Sequence, residues 1–346
     1  MSDRRTIVYV SSAGSREVLV LALDRESGRV APIAATPVPG GEGPSPTSMP
    51  LAISPDRRFL YAAVRSEPFP AVSFAIDPAS GRLTHLGDCP LPAAMAYIVT
   101  DRTGGYLFGA SYHGSKIAVN RIGAHGVVAA PPLQVLDTPP HAHCILPDAA
   151  NHHVYATSLG GDVVMQFAFD AATGRLTPTD PPTVPARQGA GPRHLAFSPD
   201  GRFLYLINEL DGTVNAYAVD ARTGTLAERQ SIALLPADFP EKPSSADLHV
   251  TPDGRFLYGS ERTSNTIMAY SVDRASGLLT PIGRVPTEAA PRGFRIDPRG
   301  RFLLAVGQTS NRMSVYAIDG GNGRLNKLAD YPMGENPNWV EIIDLP

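Results

Sequence analysis

The phrase SPDGRFLY at residues 198–205 decides the fold, because it recurs. It stands as SPDRRFLY at 54–61 and TPDGRFLY at 251–258. It weakens to DPRGRFLL at 297–304, PDAANHHVY at 147–155 and DRTGGYLF at 101–108, and RRTIVYV at 4–10 is a copy without its front half. Anchored on Tyr9, Tyr61, Phe108, Tyr155, Tyr205, Tyr258 and Leu304, the copies follow one another at 46 to 53 residues. Self-similarity at that period is the signature of propeller blades.

Each copy has the same grammar. An apolar stretch such as HLAFS at 194–198 leads into Pro-Asp-Gly-Arg. Proline presets φ there, and Asp and Gly tolerate turn geometry. A strand-like run follows (FLYLINE, 203–209), then a short polar break, then the alternating run VNAYAVD at 214–220. Alternation with period two marks a half-buried strand. A second signature closes that run: DRESGRV at 24, DPASGRL at 77, DAATGRL at 170, DARTGTL at 220, DRASGLL at 273 and DGGNGRL at 319, with IGAHGVV at 122 as a worn copy. Asp or Asn leading into Ser/Thr/Asn-Gly between alternating runs is a hairpin signal. Each repeat therefore reads as four short antiparallel strands.

The N-terminal copy begins at a second strand (6–12), and NWVEII at 338–343 is a lone first strand. Joined, they complete a blade. The expected fold is all-β: a seven-bladed β-propeller of four-stranded antiparallel blades, one domain over 1–346, with the ring closed by pairing of the N- and C-terminal strands. Such closure leaves only short, protected edges.

Composition is that of an ordinary globular chain, 43% hydrophobic and 18% charged. The 34 prolines and 32 glycines recur at fixed places in the repeat, as turns require. A net charge of −3 argues against nucleic acid or an acidic membrane as partner. No apolar run is long enough for a span and no signal-peptide pattern opens the chain, so a cytoplasmic protein is expected. The two cysteines, Cys89 and Cys144, fall in different blades and give no disulfide framework and no metal pattern. No cofactor and no metal is expected.

Chemistry is sought where one copy departs from its siblings. The stretches before each turn, the expected innermost strands, place His141, His143, Arg193, His194, Asp247, His249 and Arg292 at one rim of the central channel. Two copies carry the same Pro-Arg pair, at 192–193 and 291–292. Converging guanidinium groups suit a phosphate or a carboxylate. At the end of the second strand the copies differ again, with Glu209, then Glu261 and Arg262, then Gln308. A carboxylate beside an anion site can act as a base on water. The insertion at 233–247 is a lid candidate, and 37–48 is a second long loop. Trp339 is expected to pack within the closing blade, and His85, His113, His125, His152 and His153 at the surface or in turns.

GAGPRH, INEL, LPADFPEKPSSADLHVTPDGRFLYGSERT, APRGFRID and VGQTSNRMSVY make the chain similar to the seven-bladed β-propeller lactonase family, which also contains fungal carboxymuconate cyclases. The resemblance covers the whole chain and is densest from residue 189 onward. It implies a metal-free lactone enzyme with His141, Arg193, Glu209 and Arg292 as catalytic residues. His143, His194, Asp247, His249, Arg262 and Gln308 stand beside them as substrate-binding candidates. The implied reaction is hydrolysis of 6-phospho-D-glucono-1,5-lactone in the pentose phosphate pathway, with Glu209 or His141 (or its neighbour His143) as base. Alternatives are a plain aldonolactone, a carboxymuconate cycloisomerase and a propeller that only binds proteins. The expected partner is a small sugar lactone, phosphorylated or carboxylated, with the chain a monomer or weak homo-oligomer.

Overall fold

The computed structural model describes residues 5–41 and 46–345. The loop at 37–48 therefore runs partly outside the described residues, as does Arg4 of the truncated copy. Twenty-eight strands form seven four-stranded antiparallel sheets, with no helix among the described residues. Six sheets take their strands in chain order. Blade 1 runs from Leu51–Ile53 to Leu83–Pro90, blade 2 from Tyr97–Thr100 to Gln134–Asp137, and blade 3 from Ala142–Pro147 to Arg175–Pro185. Blade 4 runs from Pro192–Phe197 to Leu226–Ala233, blade 5 from Ser245–Val250 to Leu279–Pro286, and blade 6 from Pro291–Ile296 to Leu325–Pro332. Blade 7 pairs the last strand, Pro337–Asp344, with the first, Thr6–Ser12. Thr6 faces Asp344 and Val10 faces Val340, so the ring closes as the truncated copies imply.

The two repeated signatures meet between blades. In each Asp-x-x-x-Gly turn the glycine is left-handed (φ 75 at Gly277) and its amide returns to the aspartate carbonyl, 2.7 Å for Gly277 to Asp273. That glycine lies against the start of the second strand in the preceding blade, on its first residue everywhere except at Gly81, which meets Ile7. A methyl group on Gly277 would sit 2.3 Å from the Phe203 ring, and one on Gly323 would sit 2.4 Å from Phe256. The tyrosine of FLY completes the joint. Tyr205 Oη donates to the Gly277 carbonyl (3.1 Å), Tyr258 to Gly323 (2.8 Å), Tyr155 to Gly224 (2.8 Å) and Tyr9 to Gly81 (2.9 Å). Hydrophobic clusters fill the remaining space between neighbouring blades, such as Tyr205 and Ile207 of blade 4 with Leu257 and Tyr270 of blade 5. Each of these four joints buries a whole tyrosine side chain and satisfies its hydroxyl, the condition for a stable buried tyrosine.

Where the signatures are worn the joint is incomplete. Tyr61 faces the worn turn of blade 2, and its buried hydroxyl finds no partner among the described residues. In blade 3 His153 stands where the phenylalanine would be, buried and bonded to Asp148 at 3.1 Å. It is a packing residue, not the surface or turn residue its sequence context suggests. A methyl group on Gly224 would meet its ring at 2.2 Å.

Candidate active site

The inner strands carry the site, and a recurring irregularity aims its side chains. In blade 4 the pairing shifts between Pro192 and His194, which leaves Arg193 unpaired at the bulge. Blade 6 repeats this around Arg292, between Pro291 and Gly293. In blade 5 Ala246 and Asp247 fall inside the shift between Ser245 and Leu248, and in blade 3 His143 and Cys144 fall between Ala142 and Ile145. A bulge inserts an extra residue and redirects its neighbours, a common device beside active sites. The pairing of the inner strands of blades 1 and 2 shows no such shift.

Arg193 is 1% exposed. Its Nε donates to Glu209 Oε2 at 2.8 Å, and its Nη1 donates to the Ala246 carbonyl of the next blade. Burial and the nearby Arg262 push the Arg193 guanidinium down to about 10. Arg262 reaches the other oxygen of Glu209 at 3.0 Å, and its Nε donates to the Ser244 carbonyl. Glu209 is thus clamped between two arginines. Burial would raise its pKa, but Arg193, Arg262 and Arg292 outweigh burial and hold it below the usual glutamate value. A carboxylate so stabilised is a weak proton acceptor. The clamp therefore speaks against Glu209 as the base.

His141 is better placed for that task. It has φ 65, a left-handed backbone that is rare outside glycine. Its Nδ1 lies 3.2 Å from the Tyr112 carbonyl oxygen. A carbonyl only accepts, so the proton sits on Nδ1 and the Nε2 lone pair is left available. The imidazole stacks on the Tyr112 ring at 4.3 Å.

Below this rim the channel narrows to a layer of rings. His143, buried, lies 5.1 Å from His194 and 5.9 Å from Tyr112 between ring centres. His194 donates Nδ1–H to Asp247 Oδ1 at 2.9 Å, and Asp247 Oδ2 takes His249 Nε2 at 3.2 Å. Burial drives both His143 and His194 toward the neutral form, reinforced by Arg193, with His194 pushed down to about 4. Burial opposes ionisation of Asp247, but His249 and the two histidine hydrogen bonds hold its carboxyl well below the usual range. Trp339 packs against the core of blades 7 and 1, as expected, and also reaches the channel. Its ring meets Tyr97 at 5.1 Å and His194 at 5.9 Å in the channel, and its Nε1 donates to Glu341. Beyond this layer a cavity of about 620 Å³ opens at the other end, lined by His249, Arg295 and Glu341 among others.

The structure thus brings Arg193, Glu209, Arg262 and Arg292 together, with His143, His194 and Asp247 beneath them, and sets His141 on Tyr112, whose ring also meets His143. It sets His249 on the far side, where Arg295 Nη1 approaches it at 3.5 Å. Gln308 is at the rim but committed, donating to Asn336 Oδ1 at 2.7 Å. The insertion at 233–247 is braced rather than free. The Ser244 amide donates to the buried Glu261 at 2.6 Å, and Thr263 Oγ1 donates to the Lys242 carbonyl at 3.0 Å.

Two rim residues were missed by the reading of the sequence, Arg65 and Tyr112. A signal for both exists. Counting six residues on from the joint residue of each second strand leads from Phe203 to Glu209 and from Phe256 to Arg262. The same count leads from Phe59 to Arg65, from Tyr106 to Tyr112 and from Phe302 to Gln308. It ends on Leu159 in blade 3 and Ala13 in blade 7. One structural position supplies all of these groups.

Known proteins carry the same frame. The family described as lactonase, 7-bladed β-propeller, matches residues 5–342. The chain is 40% identical over 341 residues to a 6-phosphogluconolactonase of Serratia proteamaculans, covering 98% of this chain and 99% of that one. It is 39% identical to a 6-phosphogluconolactonase of Pectobacterium carotovorum subsp. carotovorum, covering 98% and 99%. Among solved structures, the periplasmic gluconolactonase of Pseudomonas aeruginosa superposes with a TM-score of 0.88 at 30% identity, covering 99% of each chain. Blade count, ring closure and a match over nearly the whole length agree: the chain belongs to the seven-bladed β-propeller lactonase family.

Proposed function

We propose that this lactonase hydrolyses 6-phospho-D-glucono-1,5-lactone to 6-phospho-D-gluconate, feeding the pentose phosphate pathway. The observation that carries the proposal is the charge at the mouth. Three guanidinium groups, Arg193, Arg262 and Arg292, act on one carboxylate, Glu209, and a fourth, Arg65, adds to the positive charge around Arg292. A surplus of fixed cations beside a histidine with a free lone pair suits an anionic ester. The two relatives named 6-phosphogluconolactonase support the phosphate as that anion.

In this mechanism His141 Nε2 takes a proton from water as the water attacks the ester carbonyl. Positioned general bases contribute about 10²- to 10⁴-fold. The attack forms a tetrahedral oxyanion. Arg193 and Arg262, held rigid by Glu209 and by backbone carbonyls, supply preorganised donors to it, the arrangement that stabilises such charge best. Collapse expels the ring oxygen, which takes back the proton from His141, and the lactone opens to the acid.

The gluconolactonase likeness favours a second reading, a plain aldonolactone as substrate. Steady-state hydrolysis of 6-phosphogluconolactone and of glucono-1,5-lactone by the purified protein separates the two. A kcat/KM at least tenfold higher on the phosphorylated lactone is expected. A preference for the plain lactone would reject the proposal in favour of the second reading.

A further inference from the structure

The four arginines of the mouth are not equivalent. Arg193 and Arg262 each hold an oxygen of Glu209, so their charge is partly spent inside the protein. Arg292 makes no hydrogen bond and no ion pair with any described residue. Among the described residues Arg65 has only neutral partners: its Nη1 donates to Ser48 Oγ at 2.8 Å and Thr47 Oγ1 at 3.2 Å, and its buried Nε has none.

Position joins the two unpaired cations. Thr47, which takes Arg65, also takes Gln308 Nε2 of blade 6 on its carbonyl at 3.4 Å. Asn336 Nδ2 reaches the same carbonyl at 3.3 Å. Arg65 is thereby tied across the rim to blade 6, whose inner strand presents Arg292. The two repel each other: Arg65 is among the cations that, after burial itself, push the Arg292 guanidinium well down. Two half-buried like charges held together by neutral neighbours are costly unless an anion joins them.

We propose that Arg65 is a specificity-determining residue which, with Arg292, holds the anionic group of the substrate, leaving the Arg193–Glu209–Arg262 unit for the lactone ring. This rests on the reading of the substrate as a phosphorylated lactone. A phosphate dianion matches two free guanidinium groups in charge, and guanidinium forks match its oxygens in shape. Arg65 then selects between phosphorylated and plain lactones, while His141 serves either one.

The test is the ratio of kcat/KM on 6-phosphogluconolactone to kcat/KM on glucono-1,5-lactone. Arg65→Gln should lower that ratio about 10- to 100-fold, the range for losing a hydrogen bond to a charged group. The loss should appear mainly in KM for the phosphorylated substrate. Arg65→Lys, which keeps the charge without the fork, should fall between, and it replaces the glutamine variant if the latter does not fold. Binding of 6-phosphogluconate by calorimetry should weaken in the same order. A ratio unchanged within about twofold, with both activities lowered alike, would overturn the assignment of Arg65 alone. A wild-type protein that neither hydrolyses the phosphorylated lactone nor binds 6-phosphogluconate would overturn the substrate reading, and the assignment with it.

Discussion

The seven joints between blades and the seven positions at the channel mouth are built from the same second strands, yet they follow opposite rules. At the joints the copies nearly agree: an aromatic ring lies under a glycine in six of the seven, with Ile7 under Gly81 in the seventh, and in four of them a tyrosine hydroxyl bonds that glycine's carbonyl. Six residues further along, the copies hold Arg65, Tyr112, Leu159, Glu209, Arg262, Gln308 and Ala13. Uniformity marks where the ring is held together, and diversity marks the rim where we propose that it meets a ligand. Packing demands the same shape seven times, whereas a small asymmetric ligand needs a different group from each side.

The largest expected break in this contrast is at His141. Asparagine tolerates the left-handed backbone and can donate to the Tyr112 carbonyl as Nδ1 does, but it lacks the Nε2 lone pair. His141→Asn should lower kcat on the lactone by about 10²- to 10⁴-fold. Its melting temperature should stay within a few degrees of wild type. A kcat within threefold of wild type would remove His141 as the base.

Gly277→Ala is the converse. The added methyl group meets Phe203 at 2.3 Å on a backbone with φ 75. Overpacking and left-handed strain together should cost roughly 2–4 kcal/mol in chemical denaturation. Activity per folded molecule should be unchanged, since the joint is remote from the rim. A loss of kcat at full folding would show that joint and mouth are coupled.

A smaller effect comes from acid. His194 keeps a folded-state pKa of about 4 against 6.5 when unfolded, and His143 is shifted the same way. Between those values the unfolded chain binds a proton that the folded one refuses. Stability should therefore fall as pH drops from 6.5 toward 4, by about 1.4 kcal/mol per unit for each such histidine. Asp247 and Glu209, held low, begin to lose their contribution only at the acid end of that window, as pH falls past their unfolded values of 3.8 and 4.5. His194→Asn keeps a donor to Asp247 and should flatten part of the slope in melts at stepped pH. An unaltered slope would mean that His194 is charged in the folded protein.

The smallest expected difference lies among the joints themselves. Tyr205→Phe removes a buried hydrogen bond to Gly277 and should cost about 1 kcal/mol. Tyr61→Phe removes a hydroxyl with no partner and should be neutral or slightly stabilising. Equal costs in parallel denaturation curves would refute the view that the blade 1 joint is worn.

The joints were legible because repetition made them so. SPDGRFLY and the Asp-to-Gly signature recur, and each is one half of a contact the fold must make seven times. The rim was legible in part. Arg193, Glu209 and Arg292 stood out against bland siblings, and the Pro-Arg pairs marked the bulges. Who bonds whom was not legible. Nothing local says that Arg193 is spent on Glu209 while Arg65, in an ordinary AVRSEPF stretch, has no counterion among the described residues. Such pairing depends on how far around the ring two loops reach. Trp339 and His153 show the same limit, one facing the channel and the other replacing a phenylalanine, and only their neighbours' positions decide it.

The ring of seven sixth-place residues has a consequence for how new specificities could arise. Each is an address that can be rewritten without touching the hinges of the scaffold. Two addresses, Ala13 and Leu159, are still blank, holding buried apolar side chains. Ala13 is part of the core between blades 7 and 1, so a library at Leu159 is the one that explores new ligand chemistry with that core left intact.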